Sequence, residues 1–93
     1  MLEHLPRKVT IREVGPRDGL QIEPQFVPTE TKAEFIRRLA ATGLPHIEVT
    51  SFVHPKWIPA LADGKQIGRQ FARMKGTHTS ALVPNMKGLE GAK

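Results

Sequence analysis

The hydrophobic pattern along the chain changes period several times, and each change predicts an element. Val9-Thr10-Ile11-Arg12-Glu13-Val14 is a β-rich run closed by Gly15-Pro16, which predicts a first strand ending in a turn. From Thr29 the spacing becomes helical. Ala33, Ile36, Leu39 and Ala40 recur on one face, Thr29 is suited to cap the start, Glu30 lies in the first turn and Gly43 supplies the stop. His46-Ile47-Glu48-Val49-Thr50 is a second strand-like run, followed by a Pro-rich segment at 51–59. Ala62, Ile67, Phe71 and Met74 predict a second helix over 59–74, although Gly64 and Gly68 each cost about 1 kcal/mol relative to alanine in a helix. Residues 77–83 read as a third strand, broken at Pro84-Asn85, and a third helix opens near Lys87.

Strand, helix, strand, helix, strand and the start of a helix form the signature of right-handed βαβ units on a parallel sheet. The expected class is α/β. Strand starts recur about every 35 residues, which suits one βα unit of a (β/α)8 barrel. No internal repeat or low-complexity stretch interrupts the pattern. Residues 87–93 open a helix with no strand after it, so the expectation is a partial TIM barrel of about three βα units.

Composition narrows the function classes. With 93 residues there is room for one small domain at most, and 39% hydrophobic and 25% charged residues are globular rather than disordered proportions. The chain contains no cysteine, which excludes a disulfide framework, a cysteine-based zinc site and a thiol nucleophile within it. Residues 1–8 carry Glu3 and Pro6 without an apolar run, unlike a secretory signal or transit peptide, and no stretch has the length of a membrane span, so the chain reads as soluble and cytoplasmic. The net charge of +5 lies wholly in the second half: residues 1–50 hold seven Lys/Arg against seven Asp/Glu, residues 51–93 seven against two. The bases Lys56, Lys65, Arg69, Arg73, Lys75, Lys87 and Lys93 are dispersed and no aromatic platform is interleaved with them. Arg69 and Arg73 would share one helix face. A solvated face explains this charge best, a phosphate-bearing small ligand comes second and nucleic acid last.

In parallel α/β folds ligands gather at the carboxyl ends of strands, which directs attention past Val14, to Thr50 and past Val83. The first place holds Gly15-Pro16-Arg17-Asp18-Gly19-Leu20-Gln21 at the start of a 14-residue connection, long for a βα loop and so suggestive of function. Arg17 and Asp18 also suit a plain local ion pair. Glu48 sits inside an apolar strand, where a carboxylate is costly unless paired, hydrogen-bonded or metal-bound, and Arg17 on the neighbouring strand end is a geometrically reasonable partner. His4, His46, His54 and His78 lack the close spacing of a metal-ligating pair and read as surface or structural. Trp57, within His54-Pro55-Lys56-Trp57-Ile58-Pro59, reads as a packing anchor rather than a substrate platform.

Four segments in order carry a family resemblance: Val14-Gly15-Pro16-Arg17-Asp18-Gly19-Leu20-Gln21, Ile47-Glu48-Val49-Thr50-Ser51-Phe52-Val53, Pro55-Lys56-Trp57-Ile58-Pro59 and Pro84-Asn85-Met86-Lys87-Gly88. From about Thr10 to Gly91 the chain resembles the amino-terminal part of the hydroxymethylglutaryl-CoA lyases, metallo-TIM barrels of the pyruvate carboxyltransferase type. The related isopropylmalate, homocitrate and citramalate synthases fit less well, because Gly15-Pro16 precedes Arg17-Asp18 here and Leu20 precedes Gln21.

The resemblance implies metal-assisted cleavage of hydroxymethylglutaryl-CoA to acetoacetate and acetyl-CoA, a step of leucine degradation. It makes Asp18 a ligand of a divalent metal, magnesium or manganese, turns Arg17 toward the thioester oxygen, and places Glu48 in the polar shell of the reacting centre. Gln21 and Ser51 would orient substrate or that network. The family's His-x-His pair, its asparagine ligand and its cysteine loop have no counterpart in these residues, and Ile22 stands where a polar residue is common. Residues 1–93 are therefore expected to be an amino-terminal portion of such a domain, inactive alone, self-associating through exposed edges, and part of a homo-oligomer at full length. With the lyase reading, an acyl-CoA small molecule is the expected partner and neither a membrane nor a nucleic acid is. Alternatives are another acyl-CoA lyase or aldolase of the same superfamily, or a small basic binding module that uses the positive second half.

Overall fold

The computed structural model describes residue 5 and residues 7–92; His4, Lys93 and most of the amino-terminal stretch read for a targeting signal lie outside the described residues. Three strands form one parallel sheet in the order β1-β2-β3, with β1 at Arg12–Glu13, β2 at His46–Ser51 and β3 at His78–Leu82. Arg12 and Glu13 lie opposite His46 and Ile47. Along β2 and β3 the register runs from His46 opposite His78 to Ser51 opposite Leu82, with an irregularity between Glu48 and Thr50.

The expected first strand over 9–14 contracts to two paired residues. Val and Ile favour strands where a neighbour packs beside them, but β2 begins opposite Arg12, so Val9 and Ile11 have no partner strand among the described residues and stay 69% and 57% exposed.

Helix α1 spans Thr29–Ala41 and stops before Gly43, whose φ of +88° is the left-handed turn expected there. Thr29 is the first helical residue and not the cap. Pro28 occupies the cap position without a side-chain bond, and the Thr29 hydroxyl donates instead to Asp63 Oδ2 at 2.6 Å. The single helix expected over 59–74 is also corrected. It divides into a 3-10 turn at Pro59–Leu61 and helix α2 at Gly64–Phe71, because the Asp63 carboxylate is held by Thr29 and Lys32 and Gly64 is pressed against the Ser51 carbonyl. Arg73 falls in the turn after α2, so it does not share a helical face with Arg69. Helix α3, Met86–Ala92, opens where expected, and Asn85 Oδ1 accepts from the Gly88 amide at 2.8 Å.

The core lies between the sheet and the helices. Ala33 and Ile36 of α1, Ile47 and Val49 of β2, and Ile67 and Phe71 of α2 form one buried cluster, with Leu39, Ala40 and Met74 packed against it. Strand alternation turns His46 and Glu48 to the opposite face of the sheet, where His46 Nε2 lies 2.8 Å from Ser80 Oγ.

Candidate active site

The first strand gives way to a π-helical turn, Gly15–Gly19. The Val14 carbonyl accepts from the amides of Arg17 at 3.1 Å, Asp18 at 2.7 Å and Gly19 at 3.4 Å, so one acceptor gathers the whole turn. Pro16 is buried and anchors it. A Cβ at Gly15 would lie 2.7 Å from Glu13 Oε1 and 3.2 Å from the Phe35 ring, so a larger residue there would push both side chains aside. Wide turns of this kind recur at functional sites because they aim side chains out of the regular ladder.

What the turn aims is Arg17. Its Nε donates to Glu48 Oε1 in a very short contact, and Nη1 donates to Asp18 Oδ1 at 3.3 Å and to Gln21 Oε1 at 3.4 Å. Nη2 has no partner among the described residues. Arg17 and Glu48 are 19% and 20% exposed, Asp18 is 64% exposed. The carboxylate that is costly in an apolar strand thus finds the guanidinium at the neighbouring strand end, and both remain reachable from solvent. A guanidinium fixed through Nε and Nη1 holds its last N–H pair in a set direction, available to an oxygen acceptor.

Of the residues read from sequence, Arg17, Asp18, Gln21 and Glu48 come together. Ser51 does not join them: it is 2% exposed and its hydroxyl donates to the Leu82 carbonyl at 3.1 Å. Trp57 is a correction, since it packs against no core and is 81% exposed. It lines a surface cleft with Ile22, Phe26 and Ile58. Sequence reading missed a buried cluster beside the site. Lys32, 3% exposed, donates to the Ala60 carbonyl at 2.6 Å and to Asp63 Oδ1 at 2.5 Å. The available signal was position: Lys32 stands four residues before Ile36, on the stripe that α1 buries.

These residues do not by themselves fit a divalent ion. Among the described residues no three His, Cys, Asp or Glu side chains group to hold one, Asp18 is a single carboxylate engaged by Arg17, and hard cations need about six oxygen donors. No helix of the described residues is long and apolar enough to cross a membrane.

No family model matches the chain. Individual relatives do. The hydroxymethylglutaryl-CoA lyase of Bacillus subtilis is 59% identical over 87 residues, 94% of this chain and 29% of that protein. The mitochondrial hydroxymethylglutaryl-CoA lyase of Rattus norvegicus is 50% identical over 88 residues, 95% of this chain and 27% of its own length. Among solved structures, the Bacillus subtilis HMG-CoA lyase superposes with a TM-score of 0.86 at 59% identity, covering 94% of this chain and 29% of that one. An HMG-CoA lyase from Acinetobacter baumannii, in complex with coenzyme A and 3-methylmalate, superposes with a TM-score of 0.83 at 46% identity, over 89% of this chain and 27% of that one. The chain spans under a third of the length of these relatives. In sequence and in backbone course alike, the chain matches the opening βα units of the hydroxymethylglutaryl-CoA lyases, a TIM-barrel family.

Proposed function

We propose that this chain supplies the Arg17–Glu48 portion of a hydroxymethylglutaryl-CoA lyase site, in which hydroxymethylglutaryl-CoA is cleaved to acetoacetate and acetyl-CoA as part of leucine degradation. The observation that carries this reading is the guanidinium held on two sides with Nη2 left over. The substrate's tertiary hydroxyl would give its proton to a base outside the described residues and become the ketone of acetoacetate as the carbon–carbon bond breaks. The bonding pair is left on the acetyl-CoA fragment as an enolate, whose oxygen Arg17 would stabilise until a proton returns to its carbon. Glu48 holds the guanidinium in place and offsets its charge in the resting state. Gln21, on the far side of Arg17, would bind substrate or steady Nη1. Ser51 enters the same proposal only through β2, because its hydroxyl is committed to the backbone. Asp18 is proposed as one donor to a divalent ion, magnesium or manganese, whose other ligands would come from outside the described residues. The substrate class draws support from the Acinetobacter baumannii relative with its bound coenzyme A. A cytoplasmic location belongs to the same proposal; the relatives include both a cytoplasmic and a mitochondrial enzyme of Rattus norvegicus.

The test is a chimera in which these residues replace their counterparts in the Bacillus subtilis lyase. It should form acetoacetate, and Arg17→Met in that background should lower kcat by about a hundredfold or more with a smaller change in KM, as loss of a preorganised oxyanion donor does. The 93-residue chain assayed alone should form none. An Arg17→Met chimera as active as its parent would defeat the assignment.

A further inference from the structure

Lys32 is the one buried cation of the described residues, and the Arg17–Glu48 pair makes no use of it. An ammonium has three N–H bonds to place. One goes to the Ala60 carbonyl at 2.6 Å, one to Asp63 Oδ1 at 2.5 Å, and the Phe26 ring lies over the nitrogen with its centroid 4.5 Å away. The second oxygen of Asp63 accepts from the Thr29 hydroxyl at 2.6 Å. No buried side-chain nitrogen or oxygen of the described residues is left without a partner, so the cluster is fully satisfied.

These partners belong to two different connections. Phe26 and Thr29 close the one that leads from β1 through Arg17 to α1; Ala60 and Asp63 close the one that leads from β2 past Trp57 to α2. Between the connections lies a cleft of about 340 Å³, walled by Gln21, Ile22 and Phe26 on one side and by Trp57, Ile58 and Ala60 on the other. Lys32 touches one residue of each wall, Phe26 and Ala60. We infer that Lys32 is a positioning residue whose buried ammonium fastens the two walls of this cleft to each other and so sets its width beside Gln21, the residue that bonds Arg17.

Stability alone does not call for charge at this position. Replacing a buried ion pair by apolar side chains of similar volume is often neutral or stabilising, whereas an ammonium bonded to the Ala60 carbonyl and the Asp63 carboxylate, with the Phe26 ring over it, fixes a geometry that apolar packing leaves loose. The inference goes beyond the lyase reading and does not depend on it, since the walls are fastened whatever the cleft accepts.

Amide hydrogen exchange on the full chain tests it. Lys32→Met combined with Asp63→Asn removes both charges together and leaves no unpaired buried ion. The amides of Leu61 and Ala62, which close the turn above Lys32, should then exchange about tenfold faster or more, the scale expected for lost bonds to a charged group, while Ile47 and Val49 in β2 change by less than about twofold. A merely structural role would speed all of them together. Uniform acceleration, or none, overturns the inference. Phe26→Leu serves if the double variant does not fold, because it keeps the ion pair and removes only a half-exposed ring. Exchange at Glu23, whose amide donates to the Leu20 carbonyl within the first wall, should then rise about twofold to fivefold, and an unchanged rate also overturns the inference.

Discussion

Three acceptors divide the guanidinium of Arg17 among them, and only one, Glu48, comes from a distant part of the chain. The pair is neither exposed nor sealed, each partner being about one-fifth exposed, so its strength should fall between surface and buried ion pairs. A double-mutant cycle with Arg17→Met and Glu48→Gln, read by urea unfolding at fixed chain concentration, should give a coupling of about 1–2 kcal/mol; a value within about 0.3 kcal/mol of zero would show the contact to be incidental. Glu48 was legible in the sequence because a carboxylate between Ile47 and Val49 demands a partner, and the turn at Gly15-Pro16 offered one nearby. Ser51 was not, because whether a hydroxyl at a strand end faces a site or a carbonyl depends on the irregular register between Glu48 and Thr50. Lys32 escaped notice for a related reason: the helical pattern marks its face as inward, but its partners lie 28 and 31 residues away and no local rule names them.

At the scale of elements, glycines decide how closely α2 and α3 approach the end of β2. A Cβ at Gly88 would lie 2.3 Å from the Phe52 carbonyl oxygen, which is backbone and cannot yield, whereas one at Gly68 would lie 2.9 Å from the tip of the Phe52 ring, which can turn. Gly88→Ala should therefore lower stability by about 1–3 kcal/mol despite the better helix former. Gly68→Ala should cost less, its clash being offset by about 1 kcal/mol of helix propensity. Thermal melts of the two variants compared side by side decide this, and a Gly88→Ala protein as stable as the parent would sink it. Sequence propensity counts Gly68 as a weakness because it sees the helix in isolation; the close approach to Phe52 is a tertiary fact. The same limit explains the divided second helix, where the apolar spacing continues through Asp63 but the chain turns to bring that carboxylate to Lys32. On α1, the Arg38 guanidinium, bonded to Glu34 at 2.9 Å, holds that carboxyl below its ordinary value, with Arg37 adding to the effect. Because the folded form is the one with the lowered value, the contribution is present above the unfolded pKa and disappears as pH falls through the folded one. The pair is exposed, so Glu34→Gln should move the melting temperature less than Gly88→Ala does at any pH.

The order of elements across the whole molecule follows from the changing period of the sequence, since each βα unit has its own apolar signature and right-handed crossovers leave few ways to connect them. What the period cannot show is which surfaces remain uncovered. In the described residues β1 and β3 each have one strand neighbour. Beside β1 stand Val9 and Ile11, and at the other end of the sheet Leu82, Met86 and Leu89 are 42%, 72% and 38% exposed. Unpaired backbone next to uncovered apolar side chains is a template for a second copy of the chain. The net charge of +5 works against such pairing by mutual repulsion, and repulsion is screened once the Debye length falls to about 10 Å near 0.1 M salt. The chain should therefore self-associate in sedimentation equilibrium, more strongly at higher chain concentration and more strongly as salt is raised. A pairing driven by opposite charges would instead weaken with salt, so the direction of the salt effect separates the two causes. Ile11→Lys, which places a further positive charge on the free edge of β1, should shift the equilibrium back toward the monomer. A parent chain that stays monomeric at every concentration and salt level would show that its edges are already protected.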